Sequence, residues 1–148
     1  MTQDVKLSKY ILRFGLVNLA LLIVLSIVSA LLEIESGSGV TIGALMGAAI
    51  FAVAKFIQDN KRVPTSSEKT KLVWFSYLTS WLVSLLIVSI FVTLTSEHYQ
   101  VINFMKSNPL ILIGILAFLT VFYVGVLYLS YGYLARKQFE SMKKRGKI

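Results

Sequence analysis

The chain has 148 residues, of which 56% are hydrophobic and 15% charged, with a mean hydropathy of +0.75. That is room for one domain and too little charge for an ordinary soluble one, where about 25% is usual. The absence of cysteine excludes disulfide staples, thiol redox chemistry and thiolate metal sites, and the net charge of +8 is left to be explained.

Four apolar runs carry the excess, near residues 11–32, 40–57, 72–95 and 110–135. Each is long enough to cross a bilayer as a helix, which takes roughly 17–25 residues. Backbone groups in lipid must be bonded within the segment, so the runs are helices. The reading is an all-α integral membrane four-helix bundle, a single membrane domain over residues 1–148.

The first run is preceded by Lys6, Lys9 and Arg13. Its apolar stretch is longer than the core of a cleaved leader, so it reads as a span. Asn18 is the most polar residue inside it and is suited to bridge helices. Asn18, Leu22, Ser26 and Ala30 share one four-residue row. The first connection, EIESGSG, is short and acidic, so spans 1 and 2 are antiparallel neighbours.

The second run, GVTIGALMGAAIFAVAKF, is built from small residues. Gly39, Gly43 and Gly47 recur on one face, and Ala44, Ala48 and Ala52 widen it. Lipid does not drive helices together hydrophobically, so close approach of backbones must contribute. Span 2 is therefore expected as the most buried helix, with Ser76, Ser80 and Ser84 of span 3 as the matching ridge. A seam between copies and a conduction path are the other two uses of such a face.

The middle connection, QDNKRVPTSSEKTK, is the best specified. Proline keeps Val63 extended. Thr65 and Glu68 have the spacing of a capping box, which starts span 3 near Ser66. From there to Thr95 is about 45 Å of helix, longer than the hydrocarbon core. Arg62 is expected to pair with Asp59 or Glu68 and close the hairpin. The third connection contains Val101, Ile102, Phe104 and Met105, consistent with a short interfacial helix, and Asn108 and Pro109 suit the start of span 4. Trp74, Tyr77, Tyr131 and Tyr133 fit an interfacial belt, while Trp81 and Tyr123 lie deeper and need partners. A basic tail, 136–148, closes the chain.

Fourteen of the fifteen Lys and Arg residues lie at the two ends or around the middle connection; Lys106 alone lies in the first or third connection. By the positive-inside rule both termini and the middle connection face the cytoplasm. The charge is thus a topology signal rather than a mark of nucleic-acid binding, and the tail KQFESMKKRGK can also hold anionic lipid.

Little points to chemistry. No acid interrupts any span, so the buried carboxylate of a proton-coupled drug exporter is missing. Glu33, Glu35, Glu97 and His98 form at most a weak cation site on the outer face. Metalloprotease, nucleophile-elbow and phosphate-loop motifs are absent. No cofactor or metal is expected, and the chain reads as no enzyme.

Phe56, Asp59, Arg62, Pro64, Thr65 and Glu68, in FIQDNKRVPTSSEK, resemble the signature loop of a family of small four-span inner-membrane proteins of Acinetobacter and other proteobacteria. The similarity extends over most of the chain. The family has no assigned reaction, so the resemblance implies a bacterial inner-membrane location and a role in envelope upkeep, and carries over no catalytic residue. The first expectation is a non-enzymatic protein acting through contacts with lipids or envelope proteins, as an oligomer. The second is a small channel or transporter for a small solute or drug. A holin-like pore former is the third.

Overall fold

The structure, a computed structural model of the chain, describes residues 5–33, 38–95, 103, 109–146 and 148. Its helices are α1 (Ser8–Leu31), α2 (Ser38–Asn60), α3 (Ser66–Thr95), α4 (Pro109–Leu129) and α5 (Ala135–Lys144). A π turn, Ser130–Leu134, joins α4 to α5 without a break. Among the described residues, four helices are long and apolar enough to cross a membrane, the last being Pro109–Lys144 taken as one. The protein is an all-α membrane four-helix bundle.

Local chemistry sets the helix ends. The α3 start is a closed capping box: the Thr65 amide donates to Glu68 Oε2 at 2.8 Å, and the Glu68 amide donates to Thr65 Oγ1 at 3.3 Å. Helix α2 ends where Lys61 turns left-handed, at φ 52°, while its amide still donates to the Ile57 carbonyl at 2.8 Å. The tail is not an appendage. Residues 135–144 continue span 4 as helix, because Ala, Arg, Lys, Gln, Glu and Met favour it. Phe139 and Met142 of α5 pack against the core. The interfacial helix expected in the third connection, and the Asn108 cap, lie outside the described residues.

Helices α1 and α3 begin, and α2 and α4 finish, at one end of the bundle, which also carries most of the basic residues and is termed the basic end. Helix α1 packs along α2 and along α3, and α4 with its π turn packs against α3 and α2. Helices α2 and α3, although consecutive, are therefore diagonal. Parallel neighbours result: α1 beside α3, and α2 beside α4.

Helix α2 is the inner strut, with 44% of its apolar window buried against 22%, 22% and 6% for the other spans. Its alanines do most of this: Ala44, Ala48 and Ala52 are fully buried. The glycine row sits to one side. A side chain on Gly47 would meet Leu21 of α1 at 2.8 Å and one on Gly43 would meet Leu25 at 3.8 Å, whereas Gly39 faces open space. The groove is thus filled by leucine side chains of α1, not by a neighbouring backbone, and Gly39 takes no part in it. A tight approach occurs instead at Gly15, where an added side chain would meet Thr79 Cγ2 of α3 at 2.8 Å. Of the serine ridge, Ser76 bonds Tyr131 of the π turn and Ser80 faces Leu119 and Tyr123 of α4, while Ser84 lies between that side and a cavity bordered by α2, because α2 and α3 lie across the diagonal.

The core lies toward the basic end. Tyr10, Phe14, Phe56, Ile57, Leu72, Leu127 and Tyr131 close it. Tyr131, expected in an interfacial belt, is 1% exposed and hydrogen-bonded to Ser76 Oγ at 2.8 Å. Tyr77 is likewise buried and bonds the Thr120 hydroxyl at 2.7 Å. Trp74 and Tyr133 remain exposed, as a belt requires.

Candidate functional site

The polar residues of the basic end form two clusters that share one aromatic wall. The first is built on Asp59, in the last turn of α2. Its Oδ2 accepts from Lys9 Nζ at 3.0 Å and from the Tyr10 hydroxyl at 3.1 Å, and lies 3.5 Å from Arg13 Nη1. Lys9 and Arg13 are four residues apart on α1 and so present their charges on one face. Asn60 Nδ2 donates to the Tyr10 hydroxyl at 2.9 Å and to the Phe56 carbonyl at 2.8 Å. Tyr10 thus stands at the centre of the α1–α2 junction, with its ring fully buried.

The second cluster is the middle connection. Arg62 donates to both Glu68 oxygens, Nη1 to Oε2 and Nη2 to Oε1, each at 2.7 Å. A two-pronged pair of this length is the strong form of a charge-assisted bond. Arg62 Nη1 also donates to the Val63 carbonyl at 3.3 Å. The Glu68 hydrogen bonds raise the Arg62 pKa further above its ordinary value, so the pair is charged whenever Glu68 is ionised. Of the two partners expected for Arg62, the structure selects Glu68, because Asp59 is engaged by α1. The pair therefore orders the connection and the α3 start, while Asp59 ties α2 to α1.

Phe56 links the clusters. Its ring centroid is 5.1 Å from that of Tyr10, and the Arg62 guanidinium carbon stands 5.3 Å from it. Pro64 forms part of a small polar pocket with Ser66, Lys69, Gly132 and Arg136. Each residue of the loop motif thus has a physical role at this end. Sequence reasoning missed Lys9, Tyr10 and Arg13 as the partners of Asp59. The signal available was the Lys9–Arg13 spacing, at the same end of the bundle as the acid.

The opposite half is looser. A cavity of about 480 Å³ lies among α1, α2 and α3, with Ser26, Thr41 and Ser84 giving hydroxyls to an otherwise apolar wall. A second, of about 160 Å³, lies between α3 and α4, lined by Ser80, Ser84, Trp81 and Tyr123. Trp81 packs edge-on against Tyr77, with ring centroids 6.3 Å apart. Asn18 is 1% exposed, and its Nδ2 has no hydrogen-bond partner, so it does not bridge helices as expected.

The outer cation site is not assembled by what can be described. Glu33 is exposed, with φ at 53°, whereas Glu35, Glu97 and His98 lie outside the described residues. Among the described residues, no group of three or more His, Asp or Glu side chains could hold a metal ion. At the basic end Asp59, Asn60, Glu68 and the hydroxyls of Tyr10 and Thr65 hold helix ends together, whereas Gln138 Oε1 is buried without a hydrogen-bond partner. Comparison with protein-family models, curated proteins and solved structures finds no match to this chain.

Proposed function

We propose that the chain is a non-enzymatic protein of the bacterial inner membrane that supports the envelope through contacts with lipids and other envelope proteins. The observation that carries this reading is how the polar chemistry is spent. Ion pairs and hydroxyls at the basic end brace the helices, while large side chains such as Leu16, Leu82 and Phe118 point outward. A bundle of that kind works by what it holds at its surface. The charge asymmetry supports a cytoplasmic basic end. The loop resemblance supports the inner membrane.

Orientation is tested first. The chain lacks cysteine, so single Ser67→Cys and Ser141→Cys variants report unambiguously. In intact cells both are expected to resist a membrane-impermeant maleimide and to react after lysis. Labelling of intact cells would reverse the topology. The functional test is a clean deletion in the source bacterium, complemented by the wild-type chain and challenged with detergents, antibiotics and metal salts. Increased sensitivity, restored by complementation, is expected; unchanged sensitivity under all challenges would defeat the envelope role.

One observation favours a second reading, a carrier or channel for a small solute. The hydroxyl-bearing cavity of about 480 Å³ has the size of a small-molecule site. Against it stands the layer of Tyr10, Phe56, Leu72 and Tyr131, buried together between this cavity and the basic end. Proteoliposomes decide between the two: solute flux by the wild type that Ser84→Phe abolishes would establish the carrier, and absent flux leaves the contact role.

A further inference from the structure

The middle connection and the π turn of span 4 create a second feature that the helix-bracing clusters do not use. It is a small pocket of about 60 Å³ at the basic end. Its wall comes from Val63 and Pro64 of the connection, Ser66 and Lys69 of α3, and Gly132 and Arg136 beyond α4. A single water needs about 10–15 Å³, so the space fits a group a few heavy atoms across.

The charge in this pocket is positive and unspent. Among the described residues, the ion pairs are Lys9–Asp59, Arg13–Asp59 and Arg62–Glu68, so no carboxylate pairs with Lys69 or Arg136. Glu68 is the nearest acid in sequence to Lys69, but both its oxygens are held by Arg62, and one also by the Thr65 amide; Glu140, four residues beyond Arg136, is in none of the ion pairs among the described residues. The pocket also includes the first residue of α3, where the helix dipole adds to the attraction for an anion. Gly132 keeps it open: a side chain there would come within 3.7 Å of Lys69 Cδ and 3.9 Å of its Nζ.

A separate groove in the membrane-spanning part adjoins it where Lys69 meets Tyr128. Lys69 Nζ lies 4.1 Å above the centroid of the Tyr128 ring. Tyr128 is also the upper wall of a groove of about 570 Å³ between α3 and α4, lined by Trp74, Thr120, Val124 and Gly125. Thr120 to Tyr128 is about 12 Å of helix, almost wholly apolar at its surface. Gly125 leaves its floor bare, with nothing within 4 Å of an added side chain. Trp74 and Tyr128 are half exposed, as aromatic residues at headgroup depth are.

We infer that this pocket and groove are one phospholipid site. The headgroup phosphate sits between Lys69 and Arg136, and an acyl chain lies along the Gly125 floor. The occupant follows from the order of the two parts: an anion-binding pocket at the helix end, joined through one aromatic ring to an apolar channel at bilayer depth. The π turn makes the junction: Tyr131, buried and bonded to Ser76, closes the inner side of the pocket, and Gly132 and Arg136 line it beside Lys69. The inference specifies the lipid side of the contact role proposed above.

The test uses the full chain in mild detergent. Binding of short-chain phosphatidylglycerol, inorganic phosphate and a phosphate-free glycolipid of matched chain length is measured by native mass spectrometry and tryptophan fluorescence. The wild type is expected to retain one phosphatidylglycerol per chain and to prefer it to the glycolipid. Lys69→Gln with Arg136→Gln should weaken that binding about 30-fold, from roughly a fivefold loss at each basic residue. Gly125→Leu, which projects into open space, should weaken the lipid and leave phosphate binding unchanged. Equal binding of the glycolipid, or unchanged lipid binding in the double variant, overturns the inference. So does phosphate binding that Gly125→Leu and wild type share while neither retains lipid. Helicity and melting temperature confirm that each variant is folded. If the site fails while the deletion phenotype persists, only this inference is lost; if the phenotype is absent while the site binds, only the envelope role is lost.

Discussion

At the basic end, Tyr10, Phe14, Phe56, Leu72 and Tyr131 fill the space between four helices, and two ion-pair clusters fasten the helix ends. At the opposite end α1, α2 and α3 border an open cavity of about 480 Å³, and few of the described residues there are buried. Both halves are similarly apolar in sequence. The difference lies in side-chain size and in where polar groups find partners. Aromatic rings bring many dispersion contacts each, which in lipid must do what hydrophobic burial does in water. In the open half Ser89 and Thr93 instead turn back on their own helix, Ser89 to the Leu85 carbonyl at 2.7 Å, while Ser26, Thr41 and Ser84 line the cavity. The protein is therefore firm where its helices start and end on charge, and yielding where they do not.

The contrast is breakable by paired substitutions, read as thermal or denaturant unfolding in detergent. The largest effect is expected for Phe56→Ala, about 3 kcal/mol of lost stability, against less than about 0.5 for the outward-facing Phe118→Ala. Equal losses would mean that the aromatic layer does not hold the bundle. Next, Gly15→Leu should lose about 2 kcal/mol by forcing α1 from α3, while Gly39→Leu is neutral. Asp59→Ala follows at about 1.5 kcal/mol, since it strands Lys9, Arg13 and the Tyr10 hydroxyl together, and Asp59→Asn should recover part of the loss. Arg62→Ala is expected at about 1 kcal/mol, with Lys a poor replacement because it cannot grip both Glu68 oxygens. The smallest effect belongs to Ser84→Ala, within about 0.5 kcal/mol, because its hydroxyl faces a cavity rather than a partner. A large loss there would show that the open half carries structure of its own.

Much of this is legible in the sequence. Span number and the Thr65–Glu68 box depend on residues near in sequence, and local rules read them well. Helix α2 as the inner strut followed from its small residues, though alanine rather than glycine makes the buried stripe. A Cβ is small enough to pack, and lateral leucines from α1 needed the glycine side. What could not be read was long-range. Asp59 finds Tyr10 some fifty residues away, and no spacing rule ranks Lys9 above Arg62 as its partner. Ser76 and Ser80 meet span 4 rather than α2, because consecutive helices need not be adjacent. The π turn has no dipeptide signature in LSYGYLA, so Tyr131 reads as a surface residue, whereas it is buried and bonded to Ser76.

That diagonal placement of α2 and α3 sets a tether length. Residues 61–65 carry the chain from Asn60 to Ser66, and six Cα steps reach at most about 20 Å. Opposite corners of a square of helices spaced 8–10 Å apart are separated by about 11–14 Å. With Lys61 turning back on itself, little slack is left. Removing two residues would pull the tether taut and drag α3 toward its neighbour, whereas adding two would cost almost nothing in closure entropy. Natural variation in this connection should therefore run to longer forms and stop short of contraction.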